Sequence, residues 1–251
     1  MDLLTMSGIR KAFSGVPVLS GVDLHVARGE VHALLGENGA GKSTLMNILT
    51  GSYAADAGTV TFDGRDITGA SIKAVERAGI AFVHQELNLF NDLLAYENIF
   101  LGQEETGPLF SLRKRSMIEK ARDLFDRLGV DIDPAALVAD LKQSQKQLLE
   151  ISRALFFNAR LLILDEPTTA LNTAEVEHLF RIVRALRDQG TSFIFISHKM
   201  PEVFELCDTY TVLRNGSFVA EGRIADTTPR EVTGMMVGAA ISERGAWEPP
   251  C

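Results

Sequence analysis

The feature that most constrains this chain is a glycine-rich loop between an apolar run and a helical pattern. Val31–Leu35 (VHALL) is predicted as a buried strand, and Lys42–Leu49 as a helix that ends at Gly51. Between them, residues 36–44 have the sequence GENGAGKST, which fits G-x-x-x-x-G-K-[ST]. Glycines let backbone N–H groups converge on phosphate oxygens, and the N-terminus of the following helix adds positive potential. The loop therefore predicts a nucleotide-binding α/β domain.

Side chains of this loop have predicted chemical roles. Lys42 supplies a positive charge for the β- and γ-phosphates, and the Ser43 hydroxyl is a predicted ligand of Mg²⁺. The rest of the loop is expected to contact the nucleotide through its backbone. The predicted nucleotide-binding residues are thus Gly36, Glu37, Asn38, Gly39, Ala40, Gly41, Lys42, Ser43 and Thr44.

Hydrophobic periodicity predicts three kinds of structure. The N-terminal part alternates polar and apolar residues, which is typical of antiparallel strands. The middle is helical, and the C-terminal part alternates strands and helices, as right-handed βαβ units with a parallel sheet do. Asn215-Gly216 predicts a type I′ hairpin. The predicted strands are Leu3–Ile9, Val18–Val26, Thr59–Phe62, Ile80–Val83, Leu161–Leu164, Phe193–Ser197, Tyr210–Leu213 and Phe218–Ala220; the predicted helices are Met117–Leu128, ended by Gly129, Gln145–Phe157 and Ala174–Gln189.

Two acidic residues follow a predicted buried strand. Asp165 and Glu166 come directly after Leu161–Leu164, at the sheet edge where open α/β sheets bind ligands. Asp165 is predicted to hold Mg²⁺, and Glu166 to orient or deprotonate a water that attacks the γ-phosphate. Taken alone, the pair could equally be a strand end or a helix cap. His198 follows the next predicted strand to the same edge, although a lone histidine is more often structural.

Composition and charge restrict the partners of the chain. Its 251 residues, 46% hydrophobic and 23% charged, fit one large α/β domain. A net charge of −8 disfavours a nonspecific nucleic-acid binder, so no nucleic-acid partner is expected. Cys207 and Cys251 lack metal-ligand spacing, which fits a reducing compartment. The apolar stretch Gly234–Ser242 is too short to span a bilayer, and the N-terminus lacks a secretory signal, so we expect a cytoplasmic protein.

Together these motifs resemble the ATP-binding subunits of ABC transporters, from about Leu3 to Gly238. The resemblance implies an α/β P-loop NTPase fold with an antiparallel β subdomain and a helical subdomain. It implies one ATP-binding domain over residues 1–240, with the helical subdomain at about 86–157 and a C-terminal tail at 241–251. The cofactors that it implies are ATP and Mg²⁺.

The resemblance also assigns roles to individual residues. Residues 36–44 would be the Walker A loop, Asp165 and Glu166 the Walker B pair, and His198 the catalytic switch histidine. Gln85, in the Q-loop, would be a catalytic residue and a Mg²⁺ ligand. Phe13 would stack on adenine, whereas Phe13 taken alone would be assigned to the core.

Finer likeness indicates a subfamily. Residues 84–89 (HQELNL), 97–102 (ENIFLG), 196–199 (ISHK) and 235–238 (MMVG) look like ribose-, galactose- and xylose-type sugar importers. Members of that subfamily usually carry two nucleotide-binding halves in one chain. This sequence ends near the point where a linker to a second half would begin. We therefore expect either a natural single-half protein or an N-terminal fragment.

One motif departs from the family. Its signature, Leu-Ser-Gly-Gly-Gln, which caps the γ-phosphate bound to the opposite subunit, aligns with Leu141, Lys142, Gln143, Ser144 and Gln145. The loss of the serine and both glycines predicts an impaired signature, because added Cβ atoms hinder close backbone approach. The alternative interpretation is that the loop tolerates these substitutions and that Lys142 points into solvent. Asn172, where a D-loop aspartate is usual, is a milder departure.

The leading expectation is an ATPase motor subunit of an importer for a monosaccharide-like solute. It would pair with a second nucleotide-binding domain, identical or different, and drive an integral membrane permease through the surface of Gln85–Gly102. A solute-binding protein would be an indirect partner, and the subunit would lie peripherally on the inner face of the membrane. The alternatives are a non-transport ABC ATPase switch on ribosomes or DNA, and a regulatory half with low turnover.

Overall fold

An antiparallel sheet is built from the N-terminal strands in the computed structural model, which describes residues 2–84, 88–107 and 111–238. β1 (Asp2–Phe13) pairs antiparallel with β2 (Val16–Ala27) and with β4 (Ala57–Phe62), and the short β5 (Arg65–Asp66) extends this four-stranded sheet. The polar–apolar alternation turns one side of these strands inward, which confirms the predicted antiparallel strands.

A six-stranded sheet forms the centre of the fold, in the order β10-β9-β3-β8-β7-β6. All its neighbouring strands run parallel except β10, which forms a hairpin with β9. Asn215 (φ 49°) and Gly216 (φ 74°) are both left-handed, as the predicted type I′ turn requires. The strands are β3 (Val31–Leu35), β6 (Ile80–Val83), β7 (Leu161–Asp165), β8 (Ser192–Ile196), β9 (Thr209–Arg214) and β10 (Ser217–Arg223).

Helices pack against both faces of the parallel sheet, and three of the described helices follow one another between β6 and β7, in the middle of the chain. Four helices have nearly the predicted bounds: α1 (Lys42–Leu49), α4 (Lys114–Leu128), α5 (Gln143–Phe156) and α6 (Thr173–Asp188). The others have six to nine residues, and the sequence did not predict them. They are α2 (Ile72–Ala78), α3 (Ala95–Phe100), α7 (Met200–Leu206) and α8 (Pro229–Val237), with short 3₁₀ turns at Val138–Asp140 and Ile224–Asp226.

The two faces of the parallel sheet pack into different hydrophobic clusters. Leu162 and Leu164 of β7 point to a cluster shared with α3–α6, whereas Leu161 and Ile163 point to a cluster shared with α1 and the antiparallel sheet. Because both faces are covered, β3 and β8 are buried along their whole length. The predicted bounds of the helical subdomain, about 86–157, stay a prediction, and the predicted tail lies outside the described residues.

None of the described helices is both long and apolar enough to cross a bilayer. This agrees with the absence of a long apolar stretch from the sequence.

A buried carboxyl group lies on α5. Glu150 is 6% exposed, and its Oε1 accepts a hydrogen bond from the backbone N–H of Asn88 at 3.2 Å. In the part of the chain that the structure describes, its Oε2 has no hydrogen-bond partner. Burial, only partly opposed by the Asn88 N–H and by Arg153, raises the pKa of Glu150 to about 7. The native state therefore keeps a proton that the unfolded chain releases near pH 4.5.

We expect Glu150→Gln to flatten the pH dependence of stability. Since the native state binds more protons between pH 4.5 and about 7, the free energy of unfolding falls as pH rises through this window. The carboxyl accounts for about 3 kcal/mol of that fall. Urea unfolding from about pH 5 to about pH 8 measures it. Glu119→Gln, at an exposed ion pair on α4, is the control, and a slope equal to the wild type's in Glu150→Gln contradicts the assignment.

Candidate nucleotide-binding site

The glycine-rich loop needs glycine at two positions for steric reasons. It leaves β3 at Gly36 and enters α1 after Gly41, and both residues have positive φ, 152° and 101°. A Cβ on Gly36 would lie 2.4 Å from the Leu213 carbonyl oxygen, and one on Gly41 would lie 2.6 Å from a methyl group of Leu19. Both glycines of the motif therefore let the loop pack tightly against neighbouring backbone and core.

Lys42 folds back over this loop. Its Nζ donates hydrogen bonds to the carbonyl oxygens of Gly36 at 2.7 Å and Glu37 at 3.1 Å. Burial lowers the pKa of the ammonium, while Glu166 and Asp165 oppose that shift. The ammonium is thus held at the loop by carbonyl groups and lies close enough to both carboxylates to interact with them.

The structure brings the loop and the acidic pair to one cavity of about 390 Å³. This is the carboxyl edge of the parallel sheet, because β3 and β7 both end there on either side of β8. The cavity is lined by Val18, Asn38, Gly39, Gly41, Lys42, Ser43, Thr44, Asp165, Glu166 and Ile196.

Asp165 and Glu166 differ in their surroundings. Asp165 is the last residue of β7, and burial, with the neighbouring Glu166, raises its pKa despite the opposing charges of His84 and Lys42. Glu166 has a left-handed φ of 47°, which costs about 1 kcal/mol or more for a residue with a Cβ. Its N–H donates to the carbonyl oxygen of Ile196 at 2.9 Å, so strand β8 holds this unusual conformation.

His198 lies beside Glu166. Its Nδ1 is 2.8 Å from Glu166 Oε1, and its side chain is largely exposed. The other carboxylate oxygen, Glu166 Oε2, is buried and has no hydrogen-bond partner within the described residues. One oxygen is therefore positioned by the imidazole, and the second is a buried acceptor without a partner among the described residues.

Phe13 lies at the end of β1 and is 41% exposed, so its assignment to the core is wrong. It pairs across the sheet with Val16, two residues before Val18 of the cavity wall. Tyr53 contacts the Phe13 ring edge-to-face with centroids 5.4 Å apart, and Lys11 Nζ lies 5.4 Å from the ring centroid. An exposed aromatic ring near the cavity fits the predicted stacking on a base, and Tyr53 is an aromatic neighbour that the sequence reasoning missed.

Two further results concern the segment after β6. Gln85 lies outside the described residues, so its predicted roles in catalysis and Mg²⁺ binding stay predictions. His84, which the sequence reasoning did not select as a site residue, interacts electrostatically with Asp165, and burial lowers its pKa. Its position directly after a strand next to β7 is the signal that could have indicated it.

Three of the five residues that align with the signature, Lys142, Ser144 and Gln145, line a second cavity of about 340 Å³, which shares no lining residue with the first. Leu141 packs against the core, Lys142 is the N-cap of α5, and Gln143 and Ser144 open its first turn without positive φ. Glycine is therefore not needed there for backbone conformation. The Ser144 hydroxyl donates to Glu175 Oε1 at 2.7 Å. Gln145 closes the turn by accepting from the Lys142 N–H at 3.0 Å.

Residues 19–169 match the family model described as ABC transporter. The chain belongs to the ABC transporter family. It is 48% identical over 242 residues to a ribose import ATP-binding protein of Bacillus cereus, covering 96% of this chain and 49% of that protein. It is 45% identical over 242 residues to a galactose/methyl galactoside import ATP-binding protein of Escherichia coli, covering 96% and 48%. The chain thus spans about half the length of these curated relatives.

Solved structures confirm the fold class. A nucleotide-free ATP-binding cassette from an ABC transporter superposes with a TM-score of 0.82 at 30% identity, over 94% of this chain and 98% of that one. The ADP conformation of another ATP-binding cassette superposes with a TM-score of 0.83 at 28% identity, over 95% of this chain and 99% of that one. The predicted α/β ABC ATPase fold and the predicted family are therefore confirmed.

We expect Phe13→Ala to weaken ATP binding by about 1–3 kcal/mol, because a stacked ring contributes that much per base. GTP should lose a similar amount, since stacking does not read base edges. Titration calorimetry with each nucleotide measures the effect. Ile72→Ala, which truncates an exposed apolar side chain on α2, is the control. An unchanged affinity in Phe13→Ala would place the base elsewhere.

Proposed function

We propose that this chain is the ATP-binding and ATP-hydrolysing motor domain of an ABC importer for a monosaccharide-like solute. The observation that carries the proposal is the single cavity that joins Lys42, Asp165 and Glu166. Family membership supports ATP as the nucleotide, and the relatives named for ribose and galactose import support the solute class.

Each part of the cavity has a task in this reaction. The loop N–H groups and Lys42 bind the phosphates, and Ser43, Asp165 and the predicted Gln85 hold Mg²⁺, which fits their oxygen donors. Mg²⁺, when bound, neutralises negative charge on the phosphates. The Glu166 carboxylate, which lines the cavity, orients the attacking water and takes its proton. His198 holds Glu166 Oε1, so the carboxylate keeps one fixed orientation.

The second cavity supports action in trans. The signature residues share no cavity with Lys42 of the same chain, which supports the proposal that they act on the nucleotide of a second nucleotide-binding domain. ATP held between the two domains would favour a closed dimer, and hydrolysis would release it. The surface of residues 85–102 would contact an integral membrane permease at the inner face of the membrane, and a solute-binding protein would act through that permease.

We expect Glu166→Gln to keep ATP binding and to stop turnover, because the amide preserves shape and removes the base. The variant should accumulate an ATP-dependent dimer in gel filtration. Steady-state phosphate release and titration calorimetry separate the two effects. Lys42→Ala is the matched control that should lose binding itself, since it removes the charge at the β/γ-phosphates. Phosphate release at the wild-type rate in Glu166→Gln would remove this residue from the mechanism.

A second candidate, a regulatory half with low turnover, is favoured by the state of the signature. The Ser144 hydroxyl is already bound to Glu175, so it is not free to donate to a phosphate. Lys142 offers a long flexible charge in place of a short neutral donor. Gln143 and Ser144 have no positive φ, so the altered loop is not strained there, but their Cβ atoms would still hinder close approach of the backbone to a phosphate.

Restoring Ser-Gly-Gly at positions 142–144 should raise turnover of the isolated protein by about tenfold, equivalent to about 1.4 kcal/mol of barrier. This is less than the loss caused by removing an oxyanion donor, because Lys142 partly substitutes electrostatically. Phosphate release at saturating Mg-ATP measures it. Lys146→Ser, which removes a neighbouring charge on α5, is the control. If the triple variant releases phosphate at the wild-type rate or more slowly, the signature with Lys142 is not impaired.

A further inference from the structure

A buried polar network joins the segments that follow strands β7 and β8. Thr168 is fully buried at 0% exposure and Ser197 nearly so at 2%. Glu202 of α7 accepts hydrogen bonds at Oε2 from the Thr168 hydroxyl at 2.6 Å and the Ser197 hydroxyl at 3.5 Å. Its Oε1 lies 3.1 Å from Lys199 Nζ. Both carboxylate oxygens are therefore used, as a buried carboxylate requires.

Lys199 completes this network. Its Nζ also donates to the Thr168 carbonyl oxygen and to Thr168 Oγ1, each at 3.2 Å, while its backbone N–H donates to the Ser197 hydroxyl at 3.1 Å. The ammonium has three protons, and with Glu202 it has three acceptors. The Lys199 side chain is 37% exposed and that of Glu202 13%, so the hydrogen-bond geometry of the network matters more than the strength of the ion pair.

The network lies next in sequence to the two proposed catalytic side chains. Thr168 is two residues after Glu166, and Ser197 and Lys199 flank His198. The same two segments are joined directly by the 2.8 Å contact between His198 and Glu166. Glu166 has a left-handed backbone conformation, which persists only where its surroundings hold it.

The network also extends toward α6. The Thr168 carbonyl oxygen that accepts from Lys199 accepts a second hydrogen bond from the Leu171 N–H at 3.2 Å. Asn172 then caps α6 by accepting from the Glu175 N–H at 3.1 Å. Lys199 is thus bound to the backbone of the segment that links the acidic pair to the helix beside the signature cavity.

We propose that Lys199 and Glu202 are positioning residues for the His198–Glu166 pair. By tying the two segments together at Thr168 and Ser197, they keep imidazole and carboxylate at hydrogen-bond distance and keep the left-handed Glu166 backbone in place. The proposal rests on the proposed function only for its effect on turnover. The proposed dependence of the His198 environment on Lys199 does not require ATP hydrolysis, so it can be tested separately from turnover.

The first test uses turnover of the full chain. Lys199→Met should lower kcat by about tenfold to a hundredfold, as expected for catalytic groups displaced by about 1 Å, with KM for ATP within about twofold. KM is spared because the phosphate contacts come from residues 36–44. Glu202→Gln, which keeps shape and loses the charge, should act in the same direction. The two losses should not add in the double variant, since both break one network.

The second test needs no activity. Long-range ¹H–¹⁵N spectra of the nucleotide-free protein report the imidazole nitrogens of the five histidines, and His198→Gln assigns the signal of His198. Lys199→Met and Glu202→Gln should shift that signal. Arg184→Met is the matched control. Arg184 lies on α6 and forms an ion pair at 3.2 Å with Glu205, which lies on α7 as Glu202 does, and within the described residues its side-chain hydrogen bonds go to Glu205 rather than to Thr168 or Ser197. It should leave both kcat and the His198 signal unchanged.

Three results would overturn the proposal. The first is a wild-type kcat and a wild-type His198 signal in both network variants, and the second is an equal fall of kcat in Arg184→Met. The third is a fall of kcat that only follows the unfolded fraction measured by circular dichroism. If Lys199→Met does not fold, Glu202→Gln decides. A wild-type protein that releases no phosphate contradicts the proposed function, while the histidine spectra still test the positioning role.

Discussion

The site depends on the balance of charge around the Lys42 ammonium. Two loop carbonyl oxygens hold it, and Asp165 and Glu166 lie close enough to oppose the effect of burial on its pKa. A buried lysine without these partners would tend to lose its proton, and two adjacent carboxylates without a cation would resist ionisation. Phosphate oxygens and the proposed Mg²⁺ would add charges of both signs to this set, so we expect nucleotide binding and the acidic pair to be electrostatically linked.

Strand order brings these charges together. Within the sheet, β8 lies between β3 and β7, and its Ile196 pairs with both Leu34 and Asp165. The end of β8 therefore connects the strand before the glycine-rich loop to the strand that carries the acids. His198 and the network of Lys199 and Glu202 follow this same strand. Hydrogen bonds from Thr168 at 2.6 Å and Ser197 at 3.5 Å to Glu202 join the segments that follow β7 and β8.

The signature region shows how a substituted motif keeps a regular structure. Lys142 and Gln145 close the first turn of α5 as a helix cap does, and Ser144 is bound to Glu175 of α6. The substitutions are compatible with the backbone, because no residue in the first turn of α5 has a positive φ. What differs from the family is the chemistry that this helix terminus offers to a partner: a flexible ammonium group and a hydroxyl that already has an acceptor.

The sequence by itself determined the loop of residues 36–44, the buried strands and long helices, the acidic pair at a strand end, and the family. The loop, the strands and helices and the acidic pair depend on local spacing and periodicity, which single segments contain, whereas the family was indicated by the resemblance of the motifs. Only the tertiary structure decided that Phe13 is exposed, that His198 contacts Glu166, that Glu166 is left-handed and that Ser144 binds Glu175. Each of these results depends on strand pairing or side-chain hydrogen bonds between distant segments, and no local pattern encodes such distances.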